Sequence, residues 1–464
     1  METDNASCYT NRLNFYFNVA RGMNYIKFID LLKKSANEDL DDTILLTFFL
    51  RDCRGGKGER FLGRWGFQWL WLNFPEKINK IINCIPDFGR WDDLLVFFPN
   101  CTTLERVDNY LTEIKNPEQL NLLKVGQKAA VDLFIAQLKQ DYTNVVSNQK
   151  SPVSLCAKWA PSENCALDRK YNLVTTICQR WGISKRRYRK NLSTIRKYLH
   201  IPERYLAQKE GQVRYTQLPI GSIRKYSNAF KKRDYKKFMK YLYQRSSQKI
   251  TNIDNVLPHK IIEQYNPAGY HEILRYTNEK IETAWNEYYV SFPYHESWEN
   301  TVFFLDVSGS MYSRKYSGMD KVPINLGLAL GLLTQKRIYN LRTTSEFTEV
   351  TGNTLLEVIR KVVDMQYQNE IDFDEMIKDV PENHNVFIVS DQDIRFQKEY
   401  PFMITVWNPS RAYIDIKEEK NVKYVYGYSP IIVQQILAAP HVPPIYTIQK
   451  IFERNRYKNI KNLL

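Results

Sequence analysis

The sequence predicts an all-helical array through about residue 290, followed by an α/β domain with a doubly wound parallel sheet from residue 299. Three observations predict this. Apolar residues recur at helical spacing through the first part, whereas short β-like apolar runs alternate with helical segments after residue 299. Charge changes with them: residues 169–249 hold 23 Lys and Arg against 3 Asp and Glu, and residues 301–464 hold 20 against 19. An apolar run, Val302 to Leu305, leads directly into Asp306-Val307-Ser308-Gly309-Ser310, a strand delivering oxygen side chains to a sheet edge.

In chain order, Phe28, Ile29, Leu31 and Leu32, then Ile44, Leu45, Leu46 and Phe49, mark amphipathic helices joined by a turn at residues 37–42. The loop RDCRGGKGER, residues 51–60, has three glycines in four positions. It invites comparison with a phosphate-binding loop, but Gly58 follows Lys57 where Ser or Thr is needed, and no apolar strand precedes it. The residues favour a tight turn between helices, pinned by Arg–Asp pairing. Trp65, Phe67, Trp69, Leu70, Trp71 and Leu72 mark a deeply packed helix. Asp92 and Asp93 fall in a first helical turn, where capping is favoured over metal binding. Asn116-Pro117 punctuates the helical segments of residues 104–140. Residues 151–168 read as a loop.

The basic segment, 169–249, carries two cationic helical runs. In residues 184–199 Tyr188, Leu192, Ile195 and Leu199 share one face, and Lys185, Arg186, Arg187, Arg189, Lys190, Arg196 and Lys197 supply the charge. Residues 230–243, FKKRDYKKFMKYLY, repeat the style with Lys231, Lys232, Arg233, Lys236 and Lys237. Cations interleaved with aromatics bind phosphates by charge and stack bases; the alternative is a solvated helix face with core tyrosines. His259, after Pro258, reads as a packing residue at a helix start rather than a base.

Beyond residue 299 the expected elements are strands at 302–306, 337–344, 386–390, 403–407 and 423–426, and helices at 321–336, 353–365 and 429–438. Asp391 ends the second apolar strand, so it is expected to converge with Asp306 on one sheet edge. Oxygen-only ligands suit a hard divalent cation, Mg²⁺ or Mn²⁺.

Composition excludes other classes. The seven cysteines are scattered, all before residue 179, with no C-x-x-C pair. Cys and His do not cluster at zinc-ligand spacing. The first ten residues lack the layout of a secretory signal, and the longest apolar stretch, 322–333, is too short to cross a bilayer. The expectation is an intracellular, cytoplasmic protein with reduced thiols and no membrane partner.

The motif DVSGSM, residues 306–311, together with SDQD, residues 390–393, resembles the metal-ion-dependent adhesion site of von Willebrand factor A domains. RDCRGGKGER (51–60), IPDFGRWDDLL (85–95), SLCAKWAPSE (154–163), YRKNLSTIRKYL (188–199), NVLPHKII (255–262) and YGYSPIIVQQIL (426–437) resemble an uncharacterised family of plants, fungi and large DNA viruses. That family joins a helical module to an A domain, a layout similar to the TROVE-module family of Ro ribonucleoproteins. The resemblance implies a HEAT-like, TROVE-like module at 10–290 and a Rossmann-like A domain at 299–464. It implies Asp306, Ser308 and Ser310 as metal ligands, with Asp391 completing the site through water. The family's threonine has no counterpart here, because Ile371 stands at its place in residues 368–373; Glu370 or Asp372 are the substitutes on offer.

The expected function is a non-catalytic RNA-binding scaffold whose A-type domain recruits a protein partner through the cation. The alternatives are a metal-dependent protein-assembly factor, viral or otherwise, without RNA, and a metal-dependent hydrolase or phosphotransferase. The last is disfavoured: no nucleophile–base set is evident, and DVSGS lacks the second acid of aspartyl-phosphate enzymes.

Overall fold

A computed structural model describes residues 11–19, 23–98, 116–147, 151–199, 201–208, 213, 215–218, 220–247, 258–266, 276–292, 296–312, 322–341, 347–365, 373–378, 380–392, 394–410, 421–428, 432–433, 436–437, 440–441 and 444–464. Helical segments lead, and a mixed α/β region with a six-stranded sheet follows. The chain forms two compact units. One gathers Met1–Leu50, Gly55–Leu62 and Asn252–Lys461; the other gathers Arg51–Arg54, Gly63–Thr251 and Asn462–Leu464. This partition differs from a division at residues 290–299, because the first helices join the sheet unit. Their buried aromatics, among them Phe15, Phe28, Phe48 and Phe49, need an apolar partner. Part of it comes from the far end of the chain, where Phe49 meets Tyr457 with ring centroids 6.5 Å apart.

The sheet runs in the order β3-β2-β1-β4-β5-β6. Its strands are β1 (Thr301–Leu305), β2 (Arg337–Asn340), β3 (Phe347–Glu349), β4 (Asn385–Val389), β5 (Ile404–Asn408) and β6 (Val422–Tyr426). All neighbours are parallel except β2 and β3. The five expected strands lie within a few residues of their predicted bounds. The sixth, β3, was not anticipated: it has three residues, half-exposed or exposed, and no apolar alternation. Strands buried on both faces read as continuous apolar runs, and β1, β4 and β5 do.

Alternate side chains serve opposite faces. Phe303 stacks on Phe387, centroids 5.8 Å apart, with Trp298 against Phe387 at 5.2 Å. Phe304, Val386, Ile388, Ile404 and Val406 join a separate buried cluster. The helix Pro323–Thr334 is buried along its whole length, which accounts for its unbroken apolar sequence. Glycine permits its close approach: a Cβ at Gly327 would lie 2.4 Å from Leu305 Cδ1 and 3.2 Å from Val389 Cγ1. The helix His259–Ile262 packs on it, and an amide pair holds the next turn, Asn266 Nδ2 donating to Asn325 Oδ1 at 3.0 Å and Asn325 Nδ2 to Asn266 O at 2.9 Å. His259 is buried, with Nε2 3.2 Å from the Tyr428 hydroxyl, a packing position as expected.

His441 lies between β1 and β5, Nε2 3.0 Å from Thr301 Oγ1 and Nδ1 3.1 Å from Thr405 Oγ1. Thr405 gives its own proton to Pro440 O at 3.1 Å, so His441 Nδ1–H donates to Thr405 and Nε2 accepts from Thr301. The ring is neutral in this arrangement. Burial, and then the Lys423 ammonium, lower its pKa from 6.5 to about 4. As pH falls, the unfolded chain takes this proton first. The stabilisation is complete above about pH 6.5 and is lost as pH drops towards 4. The expected loss is roughly 3 kcal/mol at most, read as the difference between wild type and His441→Gln in urea unfolding at pH 7.5 and near pH 4. Equal pH dependence in both proteins would refute the neutral assignment.

In the second unit the helix Pro117–Val146 forms a central strut, capped by Asn116 Oδ1 accepting from Glu118 N at 2.9 Å. Asp141 on this helix is fully buried and anchors the next segment, accepting from Ser154 N at 3.0 Å and Ser154 Oγ at 2.6 Å. The cationic run expected as one helix at 230–243 is two helices, Ile220–Arg233 and Tyr235–Ser247, broken at Asp234. The break lets Phe230 and Phe238 meet around Tyr215 and Ile223 in a small core of their own.

Among the described residues, no helix is long and apolar enough to cross a membrane. Cys53, Cys84, Cys156, Cys165 and Cys178 are free thiols; Cys8 and Cys101 lie outside the described residues.

Candidate functional site

The chain goes from β1 outward through β2 to β3, then returns to place β4 on the other side of β1. The carboxyl ends of β1 and β4 therefore flank the topological switch point, where open α/β sheets bind ligands. Asp306 follows β1 by one residue, and Asp391 follows β4 by two. The register Leu305↔Val389 holds the two ends level, and Asp306 N donates to Val389 O at 2.9 Å.

The four oxygen residues named from sequence come together here. Asp306 is fully buried; its Oδ1 accepts from Ser308 N at 2.9 Å and its Oδ2 from Ser390 Oγ at 2.7 Å. Ser310 Oγ donates to Asp391 Oδ1 at 2.9 Å. Its single proton is then committed, so the 3.0 Å contact with Ser308 Oγ has Ser308 as donor. Gln392 Nε2 reaches Asp391 Oδ1 at 3.1 Å and Ser310 Oγ at 3.4 Å. Asp391 is nearly buried, and its pKa is raised: burial is the main cause, and the Asp306 charge adds to it against hydrogen bonds from Ser310 and Gln392.

Two carboxylates beside neutral hydroxyls form a donor set suited to a hard cation. The set contains no nitrogen or sulfur, which disfavours zinc. Among the described residues no group of three or more His, Cys, Asp or Glu is placed to hold a metal, so a cation here would depend on the serines. Ser390 and Gln392 were missed by sequence reasoning, although they flank Asp391 at the same strand end. Two residues past β5, the buried Ser410 hydroxyl has no hydrogen-bond partner among the described residues. Glu370, Ile371 and Asp372 lie outside the described residues.

The glycine loop is not a nucleotide cradle. Lys57 is turned inward, with Nζ donating to Val19 O at 3.0 Å and also to Tyr16 O. Burial lowers its pKa to about 7, against the opposing Glu59 charge. The Arg–Asp pairing expected there is present and extends further. Arg51 Nε donates to Asp93 Oδ2 at 2.7 Å, Arg64 Nε to Asp93 Oδ1 at 2.6 Å, and Arg64 Nη2 lies 2.6 Å from Asp92 Oδ2. Asp93 Oδ2 also accepts from Arg90 N at 2.8 Å, the capping role expected of it.

The second candidate surface is the helix Lys185–Tyr198. Ser184 Oγ caps it, accepting from Arg187 N at 3.2 Å, and Tyr188, Asn191, Leu192 and Ile195 face inward. Leu199 is only half-buried. Lys185, Arg186, Arg187, Arg189, Lys190 and Lys197 are exposed, as are Lys231, Lys232, Lys236 and Lys237 on the two later helices. Two expected phosphate contacts are otherwise engaged. The Arg196 guanidinium donates to Ala157 O and Ala160 O, both at 2.8 Å, and to Ser162 Oγ at 2.9 Å. Arg233 donates to Leu206 O at 2.8 Å and lies over the Tyr205 ring. Both are structural, because each meets backbone carbonyls that need donors.

Residues 102–291 match a family model described as a domain of unknown function, DUF2828. Uncharacterized protein L728 of Acanthamoeba polyphaga mimivirus is 25% identical over 381 residues. The match takes in 75% of this chain and 62% of that protein, so the chain spans less than two thirds of its viral relative. No solved structure matches.

Proposed function

We propose that this protein is an RNA-binding scaffold without catalytic chemistry of its own, whose sheet domain engages a protein partner at a divalent cation. One observation carries the RNA reading. Six cations project from the single helix Lys185–Tyr198, and among the described residues one carboxylate is paired to them, Glu163 with Arg189 at 2.9 Å. A helix that leaves so much like charge uncompensated repels itself unless a polyanion lies on it. The exposed lysines at 231, 232, 236 and 237 extend the charge in the same unit.

For the sheet domain, a von Willebrand factor A-like identity is supported by the strand order, the antiparallel edge strand and the oxygen cluster at the switch point. Asp306, Ser308 and Ser310 would hold Mg²⁺ or Mn²⁺, with Asp391 behind a water. The bound cation supplies an electrophilic position for a partner's carboxylate. Asp391, disfavoured as an anion by burial and then by the Asp306 charge, is the group that a bound cation would relieve.

Two experiments test the proposal. RNA affinity should fall linearly on a log–log plot against salt, with RNA preferred over polyglutamate at equal charge; preference for polyglutamate would favour a protein-assembly factor. Mn²⁺ binding, followed by electron paramagnetic resonance of the free ion, should be lost in Asp306→Ala while RNA affinity stays unchanged. Loss of RNA affinity together with the metal would overturn the division of roles.

A further inference from the structure

We propose that the side chain of Gln392 gates the cation site by competing with the ion for Ser310 and Asp391. This inference rests on the cation reading of that site and adds its regulation. Gln392 Nε2 lies 3.1 Å from Asp391 Oδ1 and 3.4 Å from Ser310 Oγ. The amide meets the carboxylate through nitrogen, because an ionised carboxylate only accepts. Its two N–H groups therefore fall on two oxygens that the cation reading uses. Asp306, Ser308 and Asp391 are buried, whereas Ser310 and Gln392 are half-buried, so Gln392 stands on the solvent side of the cluster.

Counting lone pairs shows why this contact opposes an ion. A hydroxyl has one proton and two lone pairs, and it ligates a cation through a lone pair. The Ser310 proton is on Asp391 Oδ1, and its lone pairs receive Ser308 Oγ–H and Gln392 Nε2–H. Ser308 frees one of them by turning its hydroxyl in place. Gln392 still directs the positive ends of two N–H dipoles at Ser310 and Asp391, where the ion's charge would lie. Only movement of its side chain removes them. The Gln392 backbone is pinned on both sides: its N–H donates to Ser390 Oγ at 3.0 Å, and its carbonyl accepts from Asn408 Nδ2 at 3.4 Å. Release is therefore a rotamer change of one half-buried side chain, with the strand end held in place.

The test uses the full chain and Mn²⁺, with the free ion read by electron paramagnetic resonance. Gln392→Ala and Gln392→Met should both bind Mn²⁺ about five- to tenfold tighter than the wild type. Met keeps the length of the side chain and lacks its N–H groups, so the pair separates donation from bulk. A second measurement needs no variant to bind: in wild-type protein labelled with ¹⁵N-glutamine, the Gln392 side-chain amide resonance, assigned by its loss in Gln392→Ala, should shift as Mg²⁺ is added. A gain in Ala that Met does not share would make Gln392 a plug by bulk and overturn the amide assignment. Equal or weaker Mn²⁺ affinity in both variants, or an amide resonance unmoved at Mg²⁺ concentrations that displace Mn²⁺, overturns the gate; Mn²⁺ binding by the wild type would then leave the cation reading standing. No Mn²⁺ binding by any of the three proteins overturns both.

Discussion

Replacing Arg186, Arg187, Arg189 and Lys190 together by Ala is expected to raise the dissociation constant for single-stranded RNA by about two to three decades at low salt. All four side chains are exposed. The helix keeps its buried Tyr188, Leu192 and Ile195, and Ala favours helix, so loss of affinity would not be loss of fold. Each phosphate contact on a single strand contributes about 0.7 to the salt slope, so four lost contacts lower it by about 3. Both numbers come from one series of anisotropy titrations across salt. An unchanged constant would end the RNA reading. Arg196→Ala is the contrasting control: it strips three acceptors of their donor, so its cost belongs in stability and not in the salt slope.

Asp93→Ala is expected to destabilise the helical unit by about 3–5 kcal/mol. Asp93 has no exposed surface, and its two oxygens receive Arg51, Arg64 and the Arg90 backbone N–H. Arg51 is itself 1% exposed, so removing Asp93 leaves a buried guanidinium without this counter-charge. Gly89 shows how tightly the pair is enclosed: a Cβ there would lie 2.1 Å from Asp93 Oδ2. Asp132→Ala should change little, because its pair with Arg180 is open to solvent on both sides. Urea unfolding of the three proteins gives the comparison. A small loss for Asp93→Ala would mean that Arg51 finds another partner or water.

Much of the sheet was legible because buried parallel strands write themselves as apolar runs, and their ends as the first polar residues after. Val302–Leu305 with Asp306, and Val386–Val389 with Asp391, follow that rule, and parallel pairing brought the two ends level. β3 was illegible because a short, exposed edge strand takes its place from hydrogen bonds to β2 rather than from its own residues. The structural bonds of Arg196 and Arg233 were illegible for a related reason. Spacing places them beside a buried face, but only the fold supplies the waiting carbonyls of Ala157, Ala160 and Leu206. The motifs at 51–60 and 85–95 were each noticed, but their meeting through Arg51 and Asp93 was not, since nothing local links residues so far apart.

By itself the sequence determined that the leading segments are largely helical, where the sheet begins, where cations concentrate, and that two carboxylates end apolar strands. These follow from short-range periodicity and composition. Tertiary structure alone decided the rest: that the first helices join the sheet unit, that two arginines serve the fold, and that Ser308, Ser310, Ser390 and Gln392 knit the two carboxylates into one cluster. The reason is that a side chain's chemistry is its own, but its partner is chosen by packing between distant segments.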